Sequence, residues 1–157
     1  MKKLLYFIPL LLLSCSKEDL EPEIQYSHVE IRDLTLMQYP NMNNPGYWDP
    51  NDWTNYQEPD VYLLVRNQDG AVFLSTSAHN NLSMSDLPVN WSWLYATHHP
   101  EYRDEIIFEV HDLDDGESTL MGTLSIHPFE VEIENNMAIF TETQNNITIA
   151  GTLYFVE

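Results

Sequence analysis

The chain is poor in cations, with six Lys and Arg against 25 Asp and Glu, and this excludes the basic footprint that nucleic-acid binding requires. Its one cysteine excludes an internal disulfide and any Cys-based zinc site, which needs at least two thiolates. The sequence has no G-x-S-x-G, no Gly-rich phosphate loop and no H-x-x-x-H pair. Five glycines also leave little scope for a deep, loop-walled cleft, so the expectation is binding rather than turnover. No apolar run approaches the roughly 20 residues of a membrane-spanning helix. What is present is a hydrophobic content of 43%, 12% of the chain being aromatic, enough for a packed core despite the acidity. A length of 157 residues holds one domain rather than two.

The first residues predict a location. Met1-Lys2-Lys3 is a charged start, and Leu4 to Leu13 is an apolar stretch of the length of an export signal. Leu12-Leu13-Ser14-Cys15 places a small residue before the cysteine and resembles the lipobox of bacterial lipoproteins, which implies cleavage after residue 14 and acylation of Cys15, by palmitate for example. Losing Lys2 and Lys3 makes the formal charge of −19 more negative by two. Two or three acyl chains suffice for stable anchoring, so the expected partner of the mature terminus is a membrane that the chain does not span. Ser16-Lys17-Glu18-Asp19 resembles the acidic surface-export signals on lipoproteins of the Bacteroidota. It implies the outer membrane, lipid-anchored and facing the exterior, with the periplasmic face as the alternative. Residues 15–25, with Pro22 among acidic neighbours, read as a charge-extended tether, and residues 26–157 as the folded domain.

From Ser27 onward, short runs of Val, Ile, Leu, Phe and Tyr alternate with Asn, Asp, Gly and Pro clusters, which predicts an all-β sandwich. Eight strands are expected: His28 to Met37, Asp60 to Arg66, Ala71 to Thr76, Trp91 to Tyr95, Glu105 to Asp112, Met121 to Ile126, Met137 to Thr143 and Ile147 to Val156. Ile106, Phe108 and Val110 share one parity and Glu109 and His111 the other, so one face is core and one is wet. Asn67 to Gly70 and Gln144-Asn145-Asn146 read as hairpin turns. Trp91 and Trp93 share a parity and read as interior or partly buried, while His79, His111 and the adjacent His98-His99 read as surface or turn residues. Asn43 to Tyr56 shows no alternation, and long loops of this kind in compact domains are more often functional than accidental. Its Trp48, Trp53 and Tyr56 suit either contact with a partner or packing of the loop onto the sandwich.

The stretch Glu109-Val110-His111-Asp112-Leu113-Asp114-Asp115-Gly116 is a strand that runs into acidic residues, and Asp112 and Asp114, two apart, point the same way. Two carboxylates about 4 Å apart repel by roughly 4 kcal/mol at an effective dielectric of 20, so a tight cluster needs a cation or must splay. Calcium, a hard ion taking six to eight oxygens, is the natural candidate. Turn and capping chemistry is the other reading of the same residues.

These residues also resemble those of the C2 domain, an eight-stranded antiparallel sandwich that binds calcium through Asp residues in loops at one end. Glu58-Pro59-Asp60-Val61-Tyr62-Leu63 is similar to its Asp-Pro-Tyr strand start and Pro88-Val89-Asn90-Trp91 to its Asn-Pro-x-Trp turn. Ile107 to Asp114, followed by Leu120-Met121-Gly122, is similar to its most recognisable stretch. The resemblance covers about Val29 to Phe155 and implies calcium ligands at Asp60, Asp112 and Asp114. Asp49 is favoured over Asp52 for the first loop, and because Thr119 stands where the family has a last Asp, Asp115, Glu117 or a backbone carbonyl would substitute. The strands Ala71 to Thr76 and Trp91 to Tyr95 carry no Lys or Arg, which disfavours direct phospholipid binding by the domain and leaves a protein or a glycan as the expected partner.

Overall fold

The structure, a computed structural model, describes residues 26–40, 58–94, 96, 100–101, 103–114 and 116–157. Within them the alternating runs become eight strands: β1 (His28–Gln38), β2 (Val61–Asn67), β3 (Val72–Ser75), β4 (Val89–Ser92), β5 (Ile106–Asp114), β6 (Glu117–Ile126), β7 (Met137–Gln144) and β8 (Ile147–Val156). They pair antiparallel in two sheets of four, ordered β4-β1-β8-β7 and β3-β2-β5-β6.

The period of two decides which side chains meet between the sheets. Leu34, Leu36, Ile149 and Leu153 from one sheet and Leu63, Val65, Phe108 and Val110 from the other are all fully buried. Burying each such side chain contributes roughly 1.5–3 kcal/mol, which is the main force holding the layers together. The rings of Phe108 on β5 and Phe140 on β7 lie 5.7 Å apart and join the two sheets directly. The tight connections fall where expected. Asn145 and Asn146 take φ of 52° and 63° between β7 and β8, as a two-residue hairpin turn requires. Gly70 takes φ 81° between β2 and β3, and Asn67 braces that turn by accepting the Ala71 N–H at 2.9 Å.

Several expected boundaries move, two of them with a local cause. β4 ends at Ser92 rather than Tyr95, because Trp93 adopts a left-handed backbone at φ 58°. Trp91 is accordingly buried while Trp93 is 85% exposed, so the expectation for a shared face holds only for Trp91. The β5–β6 ladder, expected to stop at Asp112, continues to the pair Asp114 and Glu117. Residues Glu117 to Leu120 are exposed and show no buried alternation, which is why they read as loop.

Close approach between strands places a strict demand on Gly151 of β8. A Cβ there would lie 2.8 Å from the Asp33 carbonyl oxygen, beside the register shift of β1, and 2.9 Å from Phe140. At Gly122 the nearest atom is the flexible Ile147 Cδ1, at 2.7 Å. Gly151→Ala should therefore cost roughly 1–3 kcal/mol of overpacking, read as a melting temperature lower by about 3–10 °C. Gly122→Ala should cost less, and equal losses in thermal melts would refute the backbone-contact explanation.

Candidate functional site

Asp60 immediately precedes β2, and the β2–β5 register sets Val61 opposite Asp112. The Leu113 N–H donates to the Asp60 carbonyl at 3.0 Å, so the ladder holds these two acidic segments side by side at one end of the sandwich. Asp112 has the inward parity of Ile106, Phe108 and Val110, and it is fully buried. Asp114, two residues on, shares that parity and is partly buried.

The hydrogen bonding around Asp112 is lopsided. Its Oδ1 accepts the Asp60 backbone N–H at 2.8 Å, and Asp60 Oδ1 accepts the Asn81 N–H at 2.7 Å. Asp112 Oδ2 is buried and has no hydrogen-bond partner among the described residues. Burial pushes the Asp112 carboxyl above its ordinary value, and the charges of Asp114 and Asp60 push the same way against the hydrogen bonds from Asp60 and Leu113. The acidic field reaches β1. Tyr39, just past that strand, donates its hydroxyl to the Leu82 carbonyl, and its pKa is pushed up to about 12 by burial and then by Glu58, Asp112 and Asp86. Arg32 and Arg66 are engaged elsewhere, Arg32 with Glu30 and over the Tyr154 ring, Arg66 with Glu109.

This end therefore offers hard oxygen donors and a buried oxygen that no described residue hydrogen-bonds, which fits a cation in chemistry. It is not a complete cage: among the described residues no group of three or more His, Cys, Asp or Glu is arranged to hold a metal. The structure brings Asp60 against Asp112 and sets Asp114 close enough to perturb it. Asp49, Asp52 and Asp115 lie outside the described residues, as do Trp48, Trp53, Tyr56, His98, His99 and Cys15.

Behind the acidic end lies an arrangement that the sequence reading missed. His111, expected at the surface, is only 9% exposed. One ring nitrogen hydrogen-bonds Glu109 Oε2 at 3.0 Å and the other Ser118 Oγ at 2.8 Å. Tyr62 stacks on the imidazole with centroids 5.3 Å apart and bonds Ser118 at 2.7 Å. The spacing of Glu109 and His111 signalled a shared face. The cover supplied by Tyr62 from β2 and Ser118 from β6 depends on pairings that no local pattern reveals.

Comparison with known proteins bears on the fold. No family model matches the chain, and no curated protein is similar to it. Among solved structures it is similar to one described as "Structure of a C2 domain", with a TM-score of 0.57 and 16% identity over 84% of this chain and all of that one. It is also similar to part of human GIVD cytosolic phospholipase A2 in complex with methyl gamma-linolenyl fluorophosphonate inhibitor and terbium chloride, with a TM-score of 0.57 and 14% identity. That likeness covers 86% of this chain but 18% of the phospholipase. The same enzyme without terbium gives a TM-score of 0.52 at 15% identity. The chain thus has an eight-stranded antiparallel C2-like β-sandwich fold.

The Glu109 network makes a prediction about acid stability. Burial alone would raise the Glu109 carboxyl, but hydrogen bonds and charge from His111 and Arg66 leave it below its ordinary 4.5. A carboxyl whose folded value is lowered stabilises the fold above its unfolded value and loses that contribution as pH falls through the folded value. Glu109→Gln should melt below wild type at pH 7, and the gap should close as pH drops below about 4.5. A gap that is constant across a pH series of melting curves would contradict this.

Proposed function

We propose that the chain is a lipid-anchored protein of the bacterial outer membrane, displayed at the cell surface, whose C2-like domain binds calcium at the Asp60, Asp112 and Asp114 end. Binding rather than turnover is its role, and the ordered acidic end presents the domain to a protein or glycan partner. The observation that carries the calcium reading is the buried, unpartnered Asp112 Oδ2 beside two further carboxylates. Asp112, Asp60 and Asp114 would supply part of the coordination, and Asp49 and Asp115 are the candidates for the rest. The ion supplies positive charge, which offsets repulsion among carboxylates that otherwise oppose folding of this end. Terbium, a hard cation like calcium, accompanies one of the structural neighbours, which favours the same ligand chemistry here. Location rests on Cys15, the small residue before it and the apolar run that precedes both.

An extracellular site with few charged ligands binds calcium at about 10⁻⁴ to 10⁻³ M. At tenfold saturation the ion should add roughly 1.4 kcal/mol, seen as a melting temperature several degrees higher in calcium than in EDTA. Asp112→Asn keeps the acceptor for the Asp60 N–H and removes the buried charge. It should melt at or above wild type in EDTA and show no rise with calcium. A wild type that is indifferent to calcium, or a variant that keeps the full rise, would reject the site.

Anchoring has its own test. In a Gram-negative host, wild-type protein should partition into the detergent phase of a Triton X-114 separation, and Cys15→Ala should move it to the aqueous phase. Identical partitioning of the two would remove the lipid anchor.

A further inference from the structure

From the cleft between β3 and β4 we infer a binding subsite for a neutral saccharide, with Trp93 as its stacking platform. β3 and β4 are edge strands of opposite sheets, so the cleft runs where the sandwich opens at its side. It has a volume of about 440 Å³ and is lined by Ser75, Thr76, Ser77, Asn90 and Ser92 beside the rings of His79, Trp91 and Trp93. Thr76 Oγ1 already accepts the Leu63 N–H and Asn90 Oδ1 the Thr35 hydroxyl, which leaves the serines as the polar groups without such ties among the described residues. Among the described residues no Asp, Glu, Lys or Arg lines it, in a chain with 25 acidic residues.

The floor is pre-organised. Trp91 Nε1 donates to the Ser77 carbonyl at 2.9 Å, tying β4 to the segment after β3. The His79 ring packs edge-on to Trp91 with centroids 5.0 Å apart. Above this floor, Trp93 leaves the strand in a left-handed conformation that a bulky residue adopts at a cost, and it stands 85% exposed. The indole is the largest apolar surface a side chain offers, and here it borders the cleft instead of joining the core.

These features select among ligands. An anion would meet the field of a protein with net charge −19 and, among the described lining residues, no Lys or Arg. A cation would find no carboxylate among the described lining residues, and a lipid chain would cover the serine hydroxyls without offering them a hydrogen bond. A pyranose ring matches both halves of the site: its C–H face stacks on an indole, and its hydroxyls exchange hydrogen bonds with neutral donors and acceptors. The subsite does not require an ion.

The test uses full-length protein in a sugar-free detergent. Maltohexaose, cellohexaose, xylohexaose and mannohexaose are titrated by calorimetry and tryptophan fluorescence, in EDTA and in calcium. At least one hexasaccharide should bind in either condition, with a blue shift of tryptophan emission. Trp93→Ala, at an exposed position outside the core, should keep its melting temperature and weaken binding about tenfold or more, while Trp93→Tyr should retain most of it. No binding by any of the four sugars, or undiminished binding by Trp93→Ala, overturns the proposal. Binding in EDTA by a protein that shows no response to calcium would sustain the saccharide subsite while the calcium reading fails.

Discussion

A carboxylate buried inside a β-sandwich without a countercharge conflicts with the rest of the interior, and Asp112 is in that position. The parity that buries Ile106, Phe108 and Val110 carries Asp112 inward as well, so the strand cannot expose the acid without also turning its apolar residues out. One oxygen is satisfied by the Asp60 N–H, and the other has no partner among the described residues. Burial and then the charges of Asp114 and Asp60 make Asp112 a weaker acid, and burial followed by the charges of Glu58, Asp112 and Asp86 does the same to Tyr39. An uncompensated charge of this kind lowers stability unless it is protonated or joined by a cation. The core and the acidic end are therefore parts of one constraint, with the core supplying the rigidity that holds the carboxylates together.

The same scaffold treats its two long faces differently. On the outer face of β5, Glu109 and His111 are polar yet largely covered, because Arg66, Ser118 and Tyr62 complete their hydrogen bonds and shield the imidazole. At the open edge, Trp93 is left uncovered beside hydroxyl groups. A satisfied network is a structural solution, whereas an exposed indole beside neutral donors is available to a ligand. The contrast separates the two polar surfaces without appeal to residue type alone.

Much of this was legible locally. Alternating apolar residues identify eight strands at nearly the observed places, since a half-buried strand writes its burial directly into every second residue. The Asn-Asn and Asn-to-Gly turns were readable because few residues accept positive φ. The continuation of β5 and β6 past Asp112 was not, because Glu117 to Leu120 are exposed on both parities and leave no hydrophobic trace. Trp93 was misplaced for a related reason: parity assumes an extended chain, and one left-handed residue cancels it.

By itself the sequence determined an all-β chain with a core of alternating residues, a strongly acidic surface and carboxylates placed two apart along one strand. Those properties follow from the order of residues along a strand, where side-chain direction repeats every second position. Only the tertiary structure decided that Asp60 would face Asp112, that His111 would be covered and that Trp93 would border a cleft. Each of these depends on register between strands distant in sequence, and register is set by the packing of two whole sheets rather than by any local pattern.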